Sequence, residues 1–265
     1  METKFKNSLL LLYFNSSNLI YLRDFIKNLY GSHFKSIIFF SNCLNKNEER
    51  TEDNITYVYA HGGSITHAIF KVFYDKYKDE FDNIDGLMFA IDDCIINIKI
   101  LNEYYDTNKI IYDFNEDDLK PLNEHSGWQW DRPNEGKEAI LRLQQDPNYY
   151  NNYDIKLFSG NYTDRFYLPK RYLNENFFNL CSLFAKHYVF FELAVPTIIH
   201  YIEQDKNNYN NNFKEDIIWG DEMNIRFSNK ENLKESLIEK KCLFIHPART
   251  HSYPFIKDWI IEFLR

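Results

Sequence analysis

Residues 86–97 read GLMFAIDDCIIN: an apolar run, Leu87 to Ile91, delivers two adjacent carboxylates, Asp92 and Asp93, and the chain then turns apolar again. Two like charges side by side repel unless something positive lies against them. A divalent cation meets that need, because hard carboxylate oxygens suit Mg²⁺ or Mn²⁺. Held there, such a cation bridges to phosphates and stabilises charge on a leaving group. The plain alternative is a solvated turn in which one Asp caps the next turn. Burial of the strand on both sides of the pair favours the metal.

A second stretch, FIHPARTH (244–251), offers complementary chemistry. His246 leaves a late apolar strand, and Arg249 and His251 follow within a few residues. One imidazole completes a carboxylate metal site, and Arg249 can neutralise a diphosphate. The competing reading is a hydrogen-bonded His beside a Pro turn, the commoner role for an isolated His.

These residues need elements to position them. SLLLLYF (8–14), KSIIFFS (35–41), ITYVYA (55–60) and GLMFAI (86–91) read as strands. NLIYLRDFIKNLYG (18–31), stopped by Gly31, and SITHAIFKVFYDKYKDEF (64–81) read as helices, with a polar loop after residue 41. Apolar strands alternating with helices predict a mainly parallel sheet covered on both faces. Ligands bind such sheets at the carboxyl ends of strands, near the switch point of strand order. The loops after Phe14, Ser41, Ala60 and Ile91 are therefore the expected site.

The second half is less regular. Strands are expected over 108–114, 154–160 and 242–247. Helices are expected over 134–145 with Asn134 as N-cap, 173–187, 190–204 with Pro196 inside, and 254–264. Residues 205–216 read as an Asn-rich loop. No internal repeat or linker divides the chain, so one domain is expected.

Composition narrows the function classes. The chain has 265 residues, 44% hydrophobic and 18% aromatic, and a formal net charge of −8. An acidic chain lacks the electrostatic footprint for a phosphate backbone, which argues against nucleic acid as a partner. Cys43, Cys94, Cys181 and Cys242 form no Cys-x-x-Cys pair and read as buried thiols of a reducing compartment. The apolar run near the N-terminus is too short for a signal peptide, and nothing approaches the ~18 apolar residues of a membrane span. A cytoplasmic protein is the expectation.

The strand-helix-strand start, the Asp-Asp turn after a buried strand and the late His with a basic neighbour together resemble GT-A glycosyltransferases. YTDRFYLPKRY (162–172), FFELAVPTII (190–199) and FIHPARTH are similar, more narrowly, to the STELLO-type glycosyltransferase family. The resemblance implies a Rossmann-like GT-A fold over 1–265, with a nucleotide-binding half (1–100) and an acceptor-binding half (101–265). It implies transfer of a sugar from a nucleotide-sugar, a UDP-sugar first, to a hydroxyl of a glycan, protein or small molecule. Ile91-Asp92-Asp93 lacks the first acidic residue of the family's Asp-x-Asp turn. By position Asp93 and His246 would hold Mn²⁺ or Mg²⁺, Asp92 would contact the donor sugar or ribose, and Arg249 would face the diphosphate. The missing acid also permits a catalytically inactive relative that binds partners. FAIDDCIIN superficially resembles haloacid-dehalogenase-like phosphatases too, but those need Asp-x-Asp and position 94 is Cys.

The resemblance gives further residues roles. Inverting GT-A enzymes deprotonate the acceptor with a carboxylate, and Glu192, costly to bury unpaired at the start of an apolar helix, fits that role. Asp221 competes for it, with Glu222 beside it on the acceptor side; an acid at a helix N-terminus or in a surface turn is the plain alternative. On the donor side stand Asn15 after the first strand, and His67 and Lys71 at i, i+4 behind His61, a Gly pair and Ser64. That segment is neither a Walker loop nor a dinucleotide fingerprint. On the acceptor side, Trp128 and Trp130 would stack on a sugar ring or lie in the core. Asp164 with Tyr167 would meet a sugar hydroxyl, or Asp164 would cap a turn.

Overall fold

The computed structural model describes residues 3–15, 17–60, 63, 66–113, 115–131, 136–210, 213–217, 229–248 and 254–264. Its first half runs β1 (Leu9–Phe14), α1 (Arg23–Tyr30), β2 (Ser36–Asn42), β3 (Arg50–Glu52), β4 (Ile55–Val58), α2 (Ala68–Tyr77), β5 (Gly86–Ile91), β6 (Ile95–Ile96) and α3 (Ile98–Tyr104). The second half begins with β7 (Lys120–Pro121), α4 (Trp128–Asp131), α5 (Lys137–Gln144), α6 (Pro147–Tyr150), β8 (Leu157–Phe158) and β9 (Arg165–Pro169). It continues with α7 (Glu175–Lys186), α8 (Phe191–Ile202), β10 (Glu215–Ile217), α9 (Lys230–Lys234), β11 (Phe244–His246) and α10 (Pro254–Leu264).

The expected α/β architecture is present, as a mixed six-stranded sheet in the order β3-β4-β2-β1-β5-β9. β1 pairs in parallel with β2 and β5, and β2 pairs in parallel with β4. The edges are antiparallel, β3 on β4 and β9 on β5. Every residue of β1 and β5 is buried, which is why LLLLYF and GLMFAI are unbroken apolar runs rather than alternations.

One helical layer holds α2, α7 and α8. Phe70 of α2 lies 5.2 Å from Phe89 and 5.6 Å from Phe166 of the sheet, and 6.0 Å and 6.3 Å from Phe177 and Phe191 (ring centroids). A second, three-stranded sheet orders β10-β11-β6, with β11 parallel to β10 and antiparallel to β6. β6 lies four residues beyond the end of β5, so the acidic turn joins the large sheet to the small one.

Several expectations change: β10 begins inside the loop expected over 205–216, and the strand expected over 154–160 shrinks to β8. The polar loop after residue 41 contains β3, an exposed charged edge strand, followed by Asp53 and Asn54 at φ 50° and 63° before β4. Two left-handed residues in a two-residue loop are the favoured hairpin turn, and Asp and Asn tolerate that conformation better than most residues. The strand expected over 108–114 is reduced to single bridges, Ile110 to Tyr209 and Ile111 to Tyr167. α5 starts later than expected, with Gly136 at its N-cap; Asn134 lies outside the described residues. Among the described residues no helix is long and apolar enough to cross a membrane.

Candidate active site

The chain passes from β1 through β2 to β4 on one side, then returns to β5 on the other side of β1. The switch point of strand order therefore lies between the carboxyl ends of β1 and β5, where such sheets bind ligands. Asp92 sits there. Its Oδ1 accepts a hydrogen bond from the Asn15 amide at 3.2 Å, and its own amide donates to the Tyr13 carbonyl at 3.0 Å. The turn closes with Cys94 N donating to the Ile91 carbonyl at 3.1 Å.

Two distant segments are tied to this turn through the backbone. Ile91 N donates to the Asp164 carbonyl at 3.0 Å, and Ala248 N donates to the Asp93 carbonyl at 2.6 Å. Asp164 precedes β9 and His246 ends β11, so residues from four strand ends meet in one place.

At its centre lies the His246 ring, 3% exposed. Nε2 is 3.2 Å from Asp93 Oδ1, and Nδ1 is 3.5 Å from Asp164 Oδ2. Burial pulls the imidazole down, but contact with Asp93 and the charges of Asp93 and Asp164 outweigh it, holding the pKa above its usual value. Burial likewise raises Asp164, against the opposing influence of His246 and Arg165. For Asp92, burial and then the Asp93 charge push the carboxyl up to about 7.

Asp93 Oδ1 and Asp164 Oδ2 are buried with the His246 ring as their nearest charged neighbour, and Asp92 Oδ2 is buried without a hydrogen bond to a described residue, a costly concentration of acid. Next to Asp164, the nearly buried Arg165 pairs with Glu215 of β10, its Nε donating to Oε1 at 2.9 Å. The set, carboxylate oxygens with one imidazole, is of ligand types that a hard divalent cation accepts. It is not a closed cage, because Asp93 and Asp164 approach different edges of the ring. Among the described residues no group of three or more His, Cys, Asp or Glu side chains is placed to hold a metal ion.

Asn15, Asp92, Asp93, Asp164 and His246 are thus brought together, although Asp164 was expected on the acceptor side. Glu192 is 8% exposed in the first turn of α8. Pro196, four residues on, has no N–H to give the Glu192 carbonyl. Asn161 N takes its place at 3.0 Å. Tyr162 follows, close enough that the Glu192 charge, after burial, raises its phenol pKa. Glu192 therefore docks on the segment that leads into Asp164.

Other expected residues lie elsewhere. His67 is fully buried, its ring 6.1 Å from Phe191, and burial drives its pKa down to about 3. Lys71 pairs with Asp75 one turn along α2. His67 is the N-cap of α2 and Lys71 lies in its first turn. Trp130 is a core residue, stacked on His125 at 3.8 Å and pressed against Gly160. Tyr167 is buried in β9, its hydroxyl donating to the Thr107 carbonyl at 3.1 Å. Asp221, Glu222, Arg249, His251, His61, Ser64 and the Trp128 side chain lie outside the described residues.

Sequence reasoning did not single out Arg165 and Glu215. The available signal was a lone Arg directly after an acid at the mouth of an apolar strand, within YTDRFYLPKRY.

No family model and no curated protein matches the chain. Matching solved structures include a "crystal structure of a glycosyltransferase involved in the glycosylation of the major capsid of PBCV-1". It is 10% identical, with 97% of this chain and 98% of that chain covered and a TM-score of 0.41.

Proposed function

We propose that this chain is a metal-dependent glycosyltransferase that moves a sugar from a nucleotide-sugar, a UDP-sugar first, to a hydroxyl acceptor. One observation carries the reading. Three carboxylates with buried oxygens meet at the switch point of a parallel sheet, against a buried His from a separate sheet.

Asp93 and His246 would hold Mn²⁺ or Mg²⁺, with Asp164 behind the imidazole. When bound, the cation supplies positive charge against a departing diphosphate. The chain's own residues would do the rest. Asp92, fixed by the Asn15 and Tyr13 backbone, would orient the donor sugar or ribose, and Arg249 would contact the diphosphate. Glu192 would take the proton of the acceptor hydroxyl, with Asp221 as the rival base and Glu222 beside it. The nucleotide half (1–100) and acceptor half (101–265) would act as one domain.

The open arrangement around His246 favours a second reading, a catalytically inactive relative that binds partners through the same fold. Thermal melting with Mn²⁺ and each of UDP, GDP, CDP and ADP tests the main reading. One diphosphate is expected to raise the melting temperature by about 5 °C at saturation. The shift should need Mn²⁺ and vanish in Asp93→Ala. No shift with any diphosphate would overturn it.

A further inference from the structure

We propose that the groove between α6 and α7 is a separate binding site for a neutral oligosaccharide. The groove encloses about 580 Å³, within the range of small-molecule sites. Its walls carry Asn148 and Asn152 on one side, Asn176, Asn179 and Ser182 of α7 on the other, and the Tyr153 ring. Leu183 lies buried beneath.

The placement follows from helix geometry. Asn176, Asn179, Leu183 and Lys186 recur at three- and four-residue spacing and form one stripe of α7. Phe177, Phe178, Cys181 and Phe184 point the other way, into the core.

Most of the polar side chains of the groove turn to solvent rather than to the protein, Asn148, Asn152 and Asn176 being exposed and Asn179 and Ser182 half-buried. The side chains of Asn148, Asn176, Asn179 and Ser182 make no hydrogen bond to the protein among the described residues, while Asn152 Nδ2 donates to the Asn148 carbonyl at 2.8 Å. Each primary amide offers two donors and an acceptor, which matches paired sugar hydroxyls. The Tyr153 ring, set edge-on to Tyr201 at 6.2 Å, and Leu183 supply an apolar surface for the C–H face of a pyranose.

Charge selects among ligands. Among the described residues no carboxylate lines the groove. Its one cation among the described residues, Lys186, is already held by the buried Asp146 carboxylate at 2.7 Å, which His187 Nε2 also approaches at 2.7 Å. An anionic ligand finds no free positive charge among the described residues, and an apolar one would leave the amides facing it unpaired. A neutral polyhydroxyl chain suits what remains.

This inference does not depend on glycosyl transfer, since it concerns binding at a place the acidic turn does not occupy. Saturation-transfer NMR and calorimetry with maltotriose, cellotriose, chitotriose and laminaritriose test it on the full chain. At least one trisaccharide should bind wild type and Asp93→Ala equally. Binding should weaken about tenfold in Asn176→Ala/Asn179→Ala and in the facing-wall variant Asn148→Ala/Asn152→Ala. The α7 pair should not endanger the helix, because Ala is the better helix former. No binding to wild type, unchanged affinity in both groove variants, or loss of binding in Asp93→Ala would each overturn the proposal.

Discussion

Asp92 keeps an ionisable carboxyl 8% exposed beside a second carboxylate, and burial and that neighbour push its pKa from 3.8 up to about 7. A folded acid with a raised pKa holds its proton more tightly than the unfolded one. Its ionisation therefore costs stability progressively as pH rises from about 4 through 7. Asp92→Asn removes that cost and keeps an oxygen for the Asn15 amide. With a chelator present, the variant is expected to melt several degrees above wild type at pH 8, the gap closing as pH falls toward 4. Equal melting temperatures at pH 8 would show that the Asp92 charge is already compensated. His67 carries the opposite sign: its depressed pKa marks a ring buried neutral, a contribution lost on acidification below about 6.5. That behaviour belongs to a core residue.

His246 belongs to the small sheet, whereas Asp92, Asp93 and Asp164 sit at the rim of the large one. The Arg165–Glu215 pair spans the two, since Glu215 opens β10, the strand beside β11. Its side chains are 3% and 14% exposed, so removing one partner strands a buried charge. Arg165→Met is expected to lose about 3–5 kcal/mol in urea unfolding, and Arg165→Met/Glu215→Met to recover most of that. A double variant as unstable as the single one would mean that the guanidinium matters through packing, as over Phe244, rather than as half of a clamp.

Across the whole molecule, the central sheet was legible because β1 and β5 are buried on both faces and leave unbroken apolar runs. The location of the candidate site was legible for the same reason: parallel strands imply a switch point, and the Asp pair ends one of them. β3 was hidden because an exposed three-residue edge strand shows no apolar alternation, although Asp53-Asn54 marked its turn. Residues 108–114 looked like a strand because Ile110, Ile111 and Tyr112 are all core, yet only single bridges anchor them. Helical spacing grouped His67 with Lys71 without showing which one faces the core. The approach of Asp164 to His246 joins chain segments far apart in sequence, which no local pattern records.

The central claim, that Asp93 and His246 serve turnover of a nucleotide-sugar, is tested most directly by donor hydrolysis. Wild type, Asp93→Ala and His246→Ala are incubated with Mn²⁺ and single nucleotide-sugars, and released nucleotide is measured. One donor should be turned over by wild type, with the rate falling at least about a hundredfold in either variant or with a chelator. Release at the wild-type rate in Asp93→Ala, or no release from any donor by wild type, would contradict the claim.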